Sequence, residues 1–208
     1  MSPAFVPKRH SQRQIAREPR WRPARQFTAA ELPPNYRSWL LDDGSLTVRL
    51  MAMNRDGFQV QRLFQGWQLP LLSETGLLGV PARQRALVRE VGLMLADQTV
   101  VFARSVFPLA SLTGDLAHLR YLQNQSLGNI LFSHPGMRRN PFELALIAGD
   151  SCYLPAELRQ QSPAWGRRSR FTIGGRSLMV SEVFLQAFTP WASSLPVHRA
   201  ARGSLQPG

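Results

Sequence analysis

Residues 165–185, WGRRSRFTIGGRSLMVSEVFL, constrain the fold more than any other stretch of the chain. They read as a strand, a Gly174-Gly175 turn, and a second, strongly apolar strand that carries one carboxylate, Glu182. Side chains on a strand alternate between faces, so Glu182 shares a face with Leu178, Val180 and Phe184. A charge on such a face is expensive unless a neighbour neutralises it or hydrogen-bonds to it. The hairpin therefore predicts a buried site as well as a sheet.

Other runs extend the sheet. RALVREVGLML and TVVFARSVFP flank Ala96-Asp97-Gln98 and read as two adjacent strands. TVRLMAMN and FQVQRLFQ flank Arg55-Asp56-Gly57 and predict another hairpin. Helices are expected over 34–41, where a proline can open the first turn, over 115–123 and over 126–132. Residues 141–148 fit either a helix or a strand. Thr28 and Glu31 have capping-box spacing, but Pro33 and Pro34 follow, which favours a short turn. Residues 69–80, LPLLSETGLLGV, are apolar yet punctuated by Pro70 and Gly76, a composition suited to a mobile cover. The sum is a single α+β domain over residues 27–190: an antiparallel sheet with helices and flap segments over a buried ligand site.

Charges fall where packing is expected. Arg89 has the parity of Leu87, Val91, Leu93 and Leu95, and Arg104 that of Val100, Phe102 and Val106. One reading is an internal ion-pair network of Arg89, Arg104 and Glu182. The other is a dry pocket in which arginine forks bind carboxylates and Glu182 handles a proton or hydroxyl. Two arginines against one glutamate favour a dianionic small molecule, and apolar surroundings would raise the glutamate toward acid–base work near neutrality. Arg167, Arg168 and Arg170 read instead as a solvated face or a charge-guarded edge.

The net charge of +12 invites a nucleic-acid partner, so its distribution matters. Residues 1–26 hold seven basic side chains against Glu18 alone, half of the excess, among four prolines. That segment predicts a disordered basic extension without base-reading or stacking devices, so no specific nucleic acid is expected and at most weak contact with anionic surfaces. Residues 191–208 predict a flexible tail. The single Cys152 excludes an internal disulfide, and four scattered histidines give no metal-ligand spacing, so no metal site is expected. No run is long and apolar enough for a membrane span, which makes a cytoplasmic monomer the default. P-loop, GxGxxG and serine-triad patterns are missing.

The pieces WLLDDGSLT (39–47), LVREVGL (87–93), FARSVFPLASLTG (102–114), SLGNILF (126–132) and WGRRSRF with SLMVSEVFL together resemble the chorismate lyase (chorismate–pyruvate lyase) family, in the family's order over most of residues 35–188. The resemblance implies a lyase that converts chorismate to 4-hydroxybenzoate and pyruvate for ubiquinone synthesis, without metal or organic cofactor. It implies that Arg89 binds the ring carboxylate and that Glu182 contacts the ring hydroxyl. It places Arg104 near the enolpyruvyl carboxylate or the exit path, and backbone contacts to the ligand near Leu46 and Leu127. A tightly held aromatic product, released through flaps, is implied as well. The alternative is a non-enzymatic, effector-type module of related fold that binds a small aromatic acid. The want of a helix-turn-helix segment counts against it.

Overall fold

In the computed structural model, residues 18–193 apart from Arg55 are described. Residues 1–17 and 194–208, which hold much of both predicted tails, lie outside them, as does Arg55 of the predicted 55–57 turn. An eight-stranded antiparallel sheet is built from β1 (Arg22–Pro23), β2 (Phe58–Gln68), β3 (Ala86–Leu95), β4 (Gln98–Pro108), β5 (Arg138–Arg139), β6 (Glu143–Ile147), β7 (Ala164–Ile173) and β8 (Arg176–Phe184). Its order is β1-β6-β7-β8-β4-β3-β2, with β5 also paired to β7. The α+β architecture expected from the sequence is the one observed.

Two tight turns set the register. Ala96 and Asp97 both have positive φ (47° and 63°), as do Gly174 and Gly175 (54° and 76°). Paired left-handed residues match the twist of the strands they join, so β3–β4 and β7–β8 form close hairpins. The register then aligns Arg89 with Ser105, Ser105 with Val180, and Ala103 with Glu182.

Both faces of the sheet are covered. Helices α1 (Pro34–Leu40), α2 (Leu46–Met53) and α4 (Leu127–Ser133), with a 3-10 segment at Gly114–Tyr121, lie on the face that carries Arg89 and Glu182. Helix α3 (Leu72–Leu78), Trp21 and Tyr153 lie on the other. Residues 47–54, read from sequence as a strand, belong to α2. Ser45 caps that helix by accepting from the Val48 N–H, and Leu46 and Leu50 are buried four apart while Val48 and Met53 are exposed. That is helical rather than alternating spacing. The expected cover at 69–80 contains α3, which ends on left-handed Gly79 and buries Glu74.

The ends of the domain also shift. Glu18 accepts hydrogen bonds from the Leu72 and Ser73 N–H groups at 2.8 and 2.9 Å, and β1 pairs with β6. Residues 18–26 are thus part of the packed fold, although their composition placed them in the extension. Trp191 packs edge-on against Tyr36 with ring centroids 4.4 Å apart, so the fold continues past residue 190.

Candidate active site

A pocket of about 50 Å³ lies between the sheet and the two helices α2 and α4. Its floor is β3, β4, β7 and β8, through Val91, Ala103, Ser105, Phe171 and Val180. Arg89, Arg139 and Glu182 supply its charges. Leu46 and Leu127 also line it, each as the first residue of its helix, where backbone N–H groups have no partner within the helix. The two helices meet over the cavity: Ser126 Oγ donates to Thr47 Oγ1 at 2.8 Å. A methyl group on Gly128 would sit 3.1 Å from Ser45 Oγ and 3.2 Å from Thr47 Oγ1, so a side chain there would make those hydroxyls give by a few tenths of an ångström.

Arg89 is 1% exposed. One of its terminal nitrogens donates to the carbonyls of Gln123 and Gln125 at 2.9 and 2.7 Å, and its Nε has no hydrogen-bond partner among the described residues. Burial, reinforced by the nearby Arg62 charge, pushes the guanidinium down to about 10. Carbonyl dipoles cannot compensate a buried cation as a carboxylate does, so an anion entering the pocket would be welcomed there.

Glu182 is on the same face but not in the apolar setting expected. Arg167 Nε donates to its Oε2 at 2.6 Å, and Arg139 Nη2 stands 4.0 Å from the same oxygen. Arg167 is itself 1% exposed and donates to the carbonyls of Trp39 and Asp42 at 2.7 and 2.9 Å. Two strand spacings and two residues separate Arg89 from Glu182, which puts their Cα atoms roughly 12 Å apart. Their side chains thus reach one cavity from opposite ends, and neither pairs with the other.

Arg104 is not in the pocket. Its neighbours Ala103 and Ser105 line the cavity, so strand alternation turns Arg104 to the opposite face. There it meets Glu74 through Nε at 2.7 Å and Nη2 at 3.0 Å, and Glu90 through Nη1 at 2.6 Å. Burial opposes its charge, but the Glu74 hydrogen bonds together with the Glu74, Tyr153 and Glu90 charges outweigh burial and hold the guanidinium above the ordinary arginine value. The sequence expectation of a ligand-binding Arg104 is corrected accordingly. Both faces of this sheet are apolar and covered, so shared parity with apolar neighbours could not tell one face from the other.

Two functional candidates, Arg167 and Arg139, escaped the sequence reading. Arg167 and Arg168 were expected in solvent, yet β7 is a central strand between β6 and β8, and both are buried. Arg168 pairs with Glu143 at 2.7 Å on the far face. Arg139 sits in a two-residue strand before a proline, where no periodicity marks it. Among the described residues no group of three or more histidine, cysteine or carboxylate side chains could hold a metal ion.

Comparisons with known proteins identify the family. A family model described as chorismate lyase matches residues 15–192. A "Probable chorismate pyruvate-lyase" of Pseudomonas aeruginosa is 41% identical over 165 residues, covering 79% of this chain and 90% of that protein. Its counterpart in Methylococcus capsulatus is 44% identical over 154 residues, covering 72% and 94%. Among solved structures, the PhnF C-terminal domain shares the fold with a TM-score of 0.51 at 14% identity, covering 71% of this chain and 87% of that one. The chain therefore belongs to the chorismate lyase family and is a lyase by that membership.

Proposed function

We propose that the protein converts chorismate to 4-hydroxybenzoate and pyruvate. The observation that carries this reading is one enclosed pocket with Arg89 at one end and Glu182 at the other. Chorismate needs little chemistry from its enzyme. A proton leaves the ring carbon that bears the hydroxyl, its electron pair forms the last ring double bond, and the neighbouring ether bond breaks toward the enolpyruvyl group. The enolpyruvate released takes up a proton and becomes pyruvate. Aromatisation drives the sequence, so orientation, charge neutralisation and one acid–base group suffice.

In this reading Arg89 receives the ring carboxylate, with help from the first N–H groups of α2 and α4 at Leu46 and Leu127. Glu182 accepts from the ring hydroxyl and serves as the acid–base group beside the carbon that loses its proton. Arg167 holds it in place. Helices α2 and α4 act as flaps that exclude water and must part for product to leave. The product would feed ubiquinone head-group synthesis.

The test is to incubate purified protein with chorismate and follow 4-hydroxybenzoate by absorbance. Appearance of product supports the reading. Tight 4-hydroxybenzoate binding without turnover would instead make the protein a binding module. Glu182→Gln preserves shape and is expected to lower kcat by about 100-fold or more, and unchanged kcat would remove Glu182 from the chemistry.

A further inference from the structure

Chorismate carries two carboxylates, and the reading above gives a partner to only one. The second lies on the enolpyruvyl group, attached next to the ring carbon that bears the hydroxyl. It must therefore lie at the Glu182 end of the pocket, away from Arg89. Arg104 is on the opposite face of the sheet, fully engaged by Glu74 and Glu90.

Arg139 is at the required end. It enters from β5, opposite Phe171 of β7, lines the pocket, and stands 4.0 Å from Glu182 Oε2. The short bond to that carboxylate is taken by Arg167 at 2.6 Å, so Arg139 is the second, looser cation beside it. Its hydrogen bonds to uncharged groups are long: Nε to Ser169 Oγ at 3.2 Å, and Nη1 to the carbonyls of Asp43 and Gly44 at 3.5 Å each. The Phe142 and Phe171 rings lie 4.0 and 4.9 Å from its guanidinium carbon, fixing the plane of the fork without using its N–H donors. Burial, then the adjacent Arg167 charge, pushes it down to about 9 against the Glu182, Asp43 and Asp42 carboxylates, a cost that an arriving anion would relieve. By contrast, every bond from Arg104 to a carboxylate is 3.0 Å or shorter.

We propose that Arg139 binds the enolpyruvyl carboxylate of chorismate and holds it as the ether bond breaks, an assignment that rests on chorismate being the substrate. Arg139 exchanges no proton. The ring proton goes to the acid–base group, the ether electrons leave with the enolpyruvate, and the guanidinium stays paired with the carboxylate throughout. Arg139 therefore separates substrate from product: chorismate has the group it binds, and 4-hydroxybenzoate does not.

The experiment measures kcat/KM for chorismate and Kd for 4-hydroxybenzoate in wild type, Arg139→Gln, Arg139→Lys and Arg89→Ala. Arg139→Gln is expected to lower kcat/KM by about 100-fold while the 4-hydroxybenzoate Kd changes by less than about 3-fold. Unchanged product binding also shows that the variant is folded. Arg139→Lys, which keeps the charge and loses the fork, is expected to recover part of the loss. Equal weakening of both ligands in Arg139→Gln, or no effect on either, overturns the proposal. Failure of the underlying reading looks different: wild type would then not convert chorismate, or Arg89→Ala would bind both ligands as wild type does.

Discussion

The two faces of the sheet bury arginines in opposite ways. On the α3 face, Arg104 meets Glu74 through two nitrogens and Glu90 through a third, and Arg168 meets Glu143. On the pocket face, Arg89 has carbonyls for partners, and Arg139 and Arg167 share the single carboxylate of Glu182. One face gives each of its buried arginines a carboxylate of its own; the other leaves Arg89 without one and has Arg139 and Arg167 draw on the same Glu182. Balanced buried charge holds structure together, and unbalanced buried charge is kept in readiness for something the chain does not supply.

Substitutions can break or sharpen this contrast. The largest effect belongs to the balanced face. Glu74→Ala leaves Arg104 buried with Glu90 alone and also removes the acceptor of the Leu71 N–H, so chemical denaturation is expected to show a loss of about 3–5 kcal/mol. A loss below 1 kcal/mol on the same scale would mean that Glu74 is not what stabilises that face. The pocket face should respond with the opposite sign. Arg139→Met removes a poorly compensated cation and is expected to raise stability by about 1 kcal/mol while activity falls. Destabilisation would erase the distinction between the faces.

A similar magnitude is expected at the flaps, read in kinetics. Thr47→Val keeps the shape and deletes the hydroxyl that accepts from Ser126, costing about 1 kcal/mol and speeding 4-hydroxybenzoate dissociation several-fold in stopped-flow displacement. An unchanged dissociation rate would show that this bond does not restrain opening. The smallest effect is in pH dependence. The folded-state value of Arg139 lies near 9, below its unfolded value, so with rising pH the folded chain sheds a proton that the unfolded chain keeps. Stability should therefore rise with pH through this range, and more steeply in wild type than in Arg139→Met between about pH 8 and 9.5. A flat difference between the two titrations would contradict it.

Much of the scaffold was legible in the residues. The Gly174-Gly175 and Ala96-Asp97 turns, the apolar runs beside them, and Glu182 facing a covered side all followed from local pattern. Arg89 was legible because its strand is apolar around it. What pattern could not supply was which side of the sheet a charge faces, because helices cover both and neither presents a polar stripe. That ambiguity placed Arg104 in the site. Arg167 looked solvent-exposed because three arginines in one strand resemble an edge, and only the pairing of β7 on both sides makes it central. Arg139 gave no signal: a two-residue strand before a proline has no period to read. Residues 47–54 were lost to a competing principle, since Ser45 and the Leu46–Leu50 spacing specify a helix within a run of strand-forming residues.

Arg167 joins Glu182 to the carbonyls of Trp39 in α1 and Asp42 in the segment that leads to α2, and Arg89 joins the cavity to the carbonyls of Gln123 and Gln125, just ahead of α4. Each of the two helices thus follows a segment bonded to a buried arginine of the sheet. Under the proposed function, opening either helix would stretch those tethers or drag a guanidinium along, which would couple admission to the chemistry. On the same reading, a ligand whose carboxylate competes for Arg89 would loosen the root of the very helix that encloses it, and its departure would let the tether re-form.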